Sequence, residues 1–254
     1  MRRLIAVLAC LSSWMCGGSA PTAPTPNASA SPFTTFQSTH FMFRYTAIDA
    51  STIGQTAQAI ESEFARVTED LGVTQMPTVT VTLYATVDAL RQAVTPIVGP
   101  IPSFATGLVT GAEAIHILSP SLPATWAYND ALVNVVHEFA HCVSLRVNPS
   151  FANNPRWLWE SVALFEAGQY NDPGQLPYFR GGPLPSLAQL NSIDNPTIYQ
   201  VGATFGRFIV ETRGWETFRA MIRGNGDLGR VLSTTESAFL DDWSRFVRDY
   251  FHVS

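Results

Sequence analysis

Cysteine is nearly absent from this chain. Of three thiols in 254 residues, Cys10 and Cys16 fall at the end of an N-terminal apolar run, and Cys142 is the only one in the part expected to fold. No internal disulfide is available to such a domain, and Cys142, set in an apolar stretch, reads as small core packing rather than a reactive thiol. Charge is scarce too. Fifteen basic and 20 acidic side chains give a formal net charge of -5, with nothing basic enough to suggest a nucleic-acid partner. Beyond the N-terminus no apolar run is long enough to span a bilayer, and no repeat recurs. Histidine is rare as well, with five in the chain.

What is present begins with an export pattern. Arg2-Arg3 precede the apolar run Leu4 to Leu11 and then small residues, the order of a signal segment over 1–16. Residues 17–32 are almost wholly Gly, Ser, Ala, Pro, Thr and Asn, too poor in apolar side chains to pack, and read as a disordered tether. A cysteine at that junction looks like a bacterial lipoprotein, in which the thiol is acylated. Cys16 has the better downstream context and Cys10 the better processing site. The expectation is an exported protein held to a membrane only by that lipid, or otherwise periplasmic or secreted.

The folded part, 33–254, with 46% hydrophobic residues over the chain, can bury a substantial core. Residues 40–45 alternate like a strand; Ile53, Ala57, Ile60, Phe64, Val67 and Leu71 then step by three and four as an amphipathic helix. Residues 78–84 form a second strand, followed by a short helix from Asp88. A Pro-rich loop over 96–102 precedes two strands, 104–109 and 114–118, around Thr110-Gly111. Beyond Asn129 the pattern is helical. An α+β fold follows, with a mixed α/β lobe over 33–128 and a helical lobe over 129–254. The strand Ala114 to Leu118 is the candidate edge over a cleft, where an extended peptide could add by backbone hydrogen bonds.

The chemistry concentrates in His137-Glu138-Phe139-Ala140-His141. Two histidines four apart on a helix lie about 40° apart around its axis, so both imidazoles reach one ion. The surrounding helix is apolar on most sides, yet Asn134, His137, Glu138 and His141 recur at i, i+3, i+4 and i+7 as one polar stripe. Burying that stripe is unfavourable unless each group finds a partner, and a cation supplies one. Glu138, beside the first ligand, stands where a zinc peptidase keeps its general base.

Glu160 follows after eighteen residues, in Trp157-Leu158-Trp159-Glu160-Ser161-Val162-Ala163. Asn148-Pro149 stops the first helix. Asn154 is a candidate N-cap, Pro155 the first helical residue and Gly168 the C-cap of a second helix. Trp157, Glu160, Ala163, Leu164 and Ala167 then share one face, so Glu160 faces the core beside the metal helix.

These residues resemble the gluzincin metallopeptidases, in particular the catalytic domain of the aminopeptidase N type and its compact bacterial peptidase MA-like relatives. The resemblance implies a two-lobed zincin-like fold and one Zn2+ held by His137, His141 and Glu160. It also implies hydrolysis of peptide bonds in which Glu138 takes a proton from the attacking water. Tyr199-Gln200-Val201-Gly202-Ala203 is similar to the family's Y-x-K-G-A segment, which makes Tyr199 the donor to the oxyanion; Val201 replaces the usual lysine. Ser161 stands where glycine is common. The aminopeptidases' G-x-M-E-N segment has only Gly111-Ala112-Glu113-Ala114 as its nearest counterpart, so aminopeptidase action is not supported and Glu113 reads as a hairpin-turn residue.

Two other classes share these residues: an inactive module of the same fold that binds peptides or surface polymers, and a zinc hydrolase acting on a non-peptide amide or ester. Glu166 and Asn134 are candidates to orient the histidines. Tyr170 and Tyr178 stand next in line to Tyr199. His116 reads as a rim residue, and His40 and His252 as structural or solvated.

Overall fold

The computed structural model describes residues 32–122 and 128–253. The export segment, with Cys10 and Cys16, and nearly all of the tether lie outside the described residues.

Alternation builds the sheet. Strand β1 (Thr34–Gln37) is exposed and pairs antiparallel with β2 (Phe41–Tyr45), whose Phe41 and Phe43 are fully buried. Helix α1 (Ile53–Asp70) lays Ile53, Ala57, Ile60 and Val67 on the same core and leads to β3 (Val79–Tyr84), parallel to β2 and burying Val79, Val81 and Leu83. Each of these Phe, Ile, Leu and Val side chains contributes about 1.5–3 kcal/mol on burial, and Ala57 less.

Thr86 caps α2 (Val87–Val98) by accepting from the amide of Ala89 at 3.1 Å. The helix runs through Pro96, where the sequence suggested a loop; a proline in the last turn removes one donor without unseating the turns before it. Leu90 and Val94 pack with Tyr84 and Leu118 in a small second cluster.

Two strands complete the sheet, β4 (Gly107–Gly111) and β5 (Ala114–Leu118), in the order β1-β2-β3-β5-β4. This corrects the expected edge. Strand β5 is internal, parallel to β3 and antiparallel to β4, and β4 is outermost. The reason lies in composition: Ile115, Ile117 and Leu118 are buried and gain from neighbours on both sides, whereas β4 is half-buried along its whole length.

Helix α3 (Tyr128–Val147) packs against α1, β4 and β5 and stops before Asn148-Pro149, as its sequence requires. Helix α4 (Arg156–Glu166) starts one residue later than expected. Pro155 is its N-cap, with extended backbone and a carbonyl that accepts from Trp159 at 3.0 Å. After α5 (Leu187–Asn191), α6 (Ile198–Arg223) is broken at Gly214, and α7 (Leu228–Leu232) and α8 (Glu236–Tyr250) close the chain.

The packing of α6 on α4 is tight. A Cβ on Gly202 would lie 2.5 Å from Leu164, and one on Gly206 2.5 Å from Phe165, so only glycine permits this approach. Trp243 of α8 backs it, stacked on Phe205 at 3.9 Å and donating from its indole to Thr204 Oγ1 at 3.0 Å. One continuous apolar core joins one sheet face to α1, α3, α4, α6 and α8. Among the described residues no helix is long and apolar enough to cross a membrane.

Candidate metal centre

His137 and His141 stand one turn apart on α3, both buried, with ring centroids 4.7 Å apart. Glu160, buried on α4, points Oε2 at both: 3.3 Å from Nε2 of His137 and 3.8 Å from Nε2 of His141. One ligand atom from each residue lies within 4.8 Å of the other two. Glu160 Oε2 has no hydrogen-bond partner, and an unpaired buried carboxylate oxygen is costly. The group could therefore hold a metal ion, and its donor set of two imidazoles and a carboxylate suits one.

The rings are fixed from behind. His141 lies flat on Trp159, centroids 3.9 Å apart and planes 6° apart. His137 donates from Nδ1 to Oε1 of Gln169 at 2.7 Å. Gln169 owes its place to how α4 ends: Gly168, at φ 67°, turns the chain left-handed, its amide donating to Phe165 O at 3.1 Å and that of Gln169 to Leu164 O at 2.9 Å. This Schellman closure needs a residue that tolerates positive φ. Ala167, not Gly168, is the C-cap residue proper. Ser161 causes no disturbance on α4, since its Oγ donates to the carbonyl of Trp157 at 2.6 Å.

Glu138 is buried beside His137, and its Oε2 has no hydrogen-bond partner. Burial, with the neighbouring charge of Glu160, pushes its carboxyl up to about 8 against the opposing pull of His137. Burial also lowers His141, with the charge of His137 adding to it. On His137 burial acts the same way but is outweighed by Glu160, Glu138 and Gln169, so that ring is held above its ordinary range. Two imidazoles and two carboxylates thus compete inside one apolar shell.

Tyr199, in the first turn of α6, reaches the same cleft. Burial first, and the charge of Glu160 next, push its phenol well above the usual range, so it stays a proton donor. The Arg156 guanidinium sits 5.3 Å from its ring centroid and the Phe104 ring meets it edge-on at 6.0 Å.

The cleft has two compartments that share Phe104, Ala105, Gly107, His137, Glu138 and Tyr199. One, of about 350 Å³, is polar, with Asn134, Gln169, Tyr170 and Asn171 in its wall. The other, of about 510 Å³, runs along β4 past His141 and Glu160 and is apolar over most of its lining.

Other sequence-selected residues lie elsewhere. Neither Glu166 nor Asn134 orients a histidine: Glu166 Oε2 pairs with Arg66 Nη1 at 2.7 Å, and the Asn134 amide donates to Thr106 Oγ1 at 3.3 Å. Glu113 is exposed in the β4–β5 turn and lines neither compartment. His116 is not at the cleft rim. It lies on the sheet between Tyr84 Oη at 2.8 Å and Thr110 Oγ1 at 3.1 Å, because its neighbours Ile115 and Ile117 take the core-facing positions of β5. His40 clasps β2 to α1 through Glu61 at 2.7 Å, and His252 is exposed after α8. Tyr170 lines only the polar compartment, and Tyr178 donates to Gln200 Oε1 at 3.4 Å outside both. Cys142 is buried.

Neither protein-family models nor curated proteins include a match to this chain.

Proposed function

We propose that this chain is an exported zinc-dependent metallopeptidase of the gluzincin kind, with peptides or proteins as substrate. The observation that carries the reading is the buried convergence of His137, His141 and Glu160 on one point, with a fourth buried group, Glu138, beside it and no hydrogen-bond partner for Oε2 of either carboxylate. The antiparallel edge strand β4 along the cleft and the helices α4 and α6 across it suit the two-lobed zincin-like arrangement.

His137, His141 and Glu160 would hold the zinc, which when bound would supply Lewis acidity for hydrolysis. The chain's own groups do the rest. Glu138, buried beside the three ligand residues with its Oε2 unpaired, accepts the proton of the attacking water as a carboxylate and returns it to the leaving nitrogen. The Tyr199 hydroxyl donates to the oxygen that gains charge. Trp159 and Gln169 hold the two imidazoles in one orientation, so that little reorganisation accompanies the reaction. The free edge of β4 offers backbone groups to an extended substrate. Export rests on Arg2-Arg3 and the apolar run after them, with Cys16 or Cys10 as the lipid-bearing residue.

The test combines metal analysis with hydrolysis. The purified protein is expected to carry one zinc, to lose it on His141→Ala, and to cleave a diverse peptide mixture in a chelator-sensitive way. Glu138→Gln is expected to keep the zinc and lose the cleavage. Metal content unchanged in His141→Ala, or cleavage unchanged in Glu138→Gln, overturns the reading.

A further inference from the structure

An enzyme that removes residues from a chain end must recognise that end, an ammonium or a carboxylate, and burying either without a counter-charge is unfavourable. The described residues that line this cleft carry few charges. The acids are Glu138 and Glu160, both at the centre itself. Beyond the two histidines the single cation is Arg156, and it is occupied: Nη1 donates to the carbonyls of Leu190, Ser192 and Asn195 at 3.1–3.4 Å while the guanidinium covers Tyr199. Glu113, the nearest counterpart of the aminopeptidases' amine-binding glutamate, is exposed in the β4–β5 turn and lines neither compartment.

The cleft offers apolar surface instead, on one side of the centre. Ile97, Ile101, Phe104, Leu145, Trp159 and Ile193 line the larger compartment. Ile97, Phe104 and Ile193 are 59%, 42% and 51% exposed, although large apolar side chains on a soluble surface gain by being covered. This surface is continuous with the reacting point through Phe104 and Glu138, and its 510 Å³ exceeds what one small side chain fills. The compartment across the shared waist is polar, with Asn134, Gln169 and Asn171 offering amides rather than charges.

Resting on the metallopeptidase reading, we propose that the enzyme cuts within chains. A large aliphatic or aromatic side chain next to the scissile bond enters the compartment lined by Ile97, Phe104 and Ile193, and the chain continues on the other side past the amides. The specificity-determining residues are then in the last turn of α2, on the loop before β4 and at Ile193, not on α3 and α4.

The experiment digests a peptide library with the zinc-loaded full-length protein. The peptides are N-acetylated and C-amidated in one arm and free at both ends in the other, and the fragments are sequenced. Internal cuts in both arms, with Leu, Ile, Phe or Met enriched at one position beside the cut, are expected. Ile97→Glu and Ile193→Glu, exposed sites whose change does not touch the core, should each lower kcat/KM on such a peptide by about tenfold. The loss should be smaller on the peptide with glycine at that position, so that the ratio of kcat/KM between the two peptides falls; an equal loss on both overturns the assignment of the pocket. Release of single residues or dipeptides from free ends with blocked peptides resistant, or internal cuts with no apolar enrichment, overturns the proposal and leaves the metallopeptidase standing. A wild type that cuts nothing, or cuts equally with Glu138→Gln, overturns both. If Ile97→Glu leaves the cleavage pattern intact but abolishes co-sedimentation with phosphatidylglycerol vesicles, the rim is a membrane contact and the proposal fails.

Discussion

Gly107 on the edge strand and Glu138 on the metal helix meet at the limit of contact: a Cβ on residue 107 would lie 2.5 Å from Oε1 of the carboxylate. The strand can pass this close only because it lacks a side chain there. Its backbone then comes as near as it can to the proposed proton acceptor, which is where an extended substrate on β4 would need to be.

Gly107→Ala is expected to push the Glu138 carboxylate aside without unfolding the protein, since the obstructed atoms are the end of a side chain rather than backbone. A misplaced proton acceptor costs rate steeply, so kcat/KM should drop by about tenfold to a hundredfold. Zinc content should not change, because Glu138 is not in the ligand group. Steady-state kinetics with metal analysis decides it, and full activity in the alanine variant refutes the idea that this contact sets the position of Glu138.

Gln169 gives a different signature. Its Oε1 holds His137 through Nδ1 at 2.7 Å, so Gln169→Leu should weaken zinc affinity by about 10- to 100-fold, the usual effect of removing a group that orients a metal-binding histidine. Competition with a chromophoric chelator measures it. At saturating zinc the variant should recover most of its kcat, and an unchanged affinity shows that Trp159 and the apolar packing suffice to fix the rings.

The metal group was legible because its signal is local: a four-residue spacing on a helix, and a glutamate on the core face of the next one. Gln169 was not, because its place depends on the Schellman turn at Gly168 and on where α4 comes to rest against α3, a tertiary relation. The same limit explains Glu166, which looked like a candidate support for the histidines but turns to Arg66, a hundred residues away in sequence. The edge of the sheet is hidden in the sequence for a related reason: Ala114–Leu118, the expected edge, is internal. Alternation identifies a strand but not its neighbours, and the hairpin after Gly107–Gly111 places β4 outside β5 rather than within the sheet. Strand β1 carries no such signal, because Thr34–Gln37 is exposed throughout and shows no alternation of burial.

Tyr199 should act late. Its strongest contact forms only as charge develops on the substrate oxygen, so Tyr199→Phe is expected to lower kcat and kcat/KM together, by roughly one hundred- to one thousand-fold, with KM nearly constant. Its ring lines both compartments whereas Tyr170 lines one, which is why Tyr199 is the first choice. Full kcat in Tyr199→Phe would transfer the role to Tyr170.

Glu166 makes a test of stability against pH that is separate from catalysis. Its side chain is fully buried, Oε2 pairs with Arg66 Nη1 at 2.7 Å, and Oε1 has no partner. Arg66 is shared with Glu63 at 2.7 Å and Asp70 at 3.3 Å, so it neutralises Glu166 only in part. Burial, with the charge of Asp70 adding and Arg66 opposing, pushes the carboxyl up to about 8 from 4.5. Between those values the folded protein binds a proton that the unfolded chain releases. The stabilisation from this group is therefore complete below about pH 4.5 and is lost as pH rises through about 8. Glu166→Gln cannot titrate and keeps a neutral group of the same shape beside Arg66. Urea unfolding of both proteins from pH 5 to pH 9, at equal zinc content, is expected to show the wild type losing stability relative to the variant as pH rises, by an amount on the order of a few kcal/mol. Subtracting one protein from the other removes the contribution of the metal centre, which both share. A wild type that gains on the variant with rising pH would mean that Arg66 outweighs burial and that Glu166 is ionised in the folded protein.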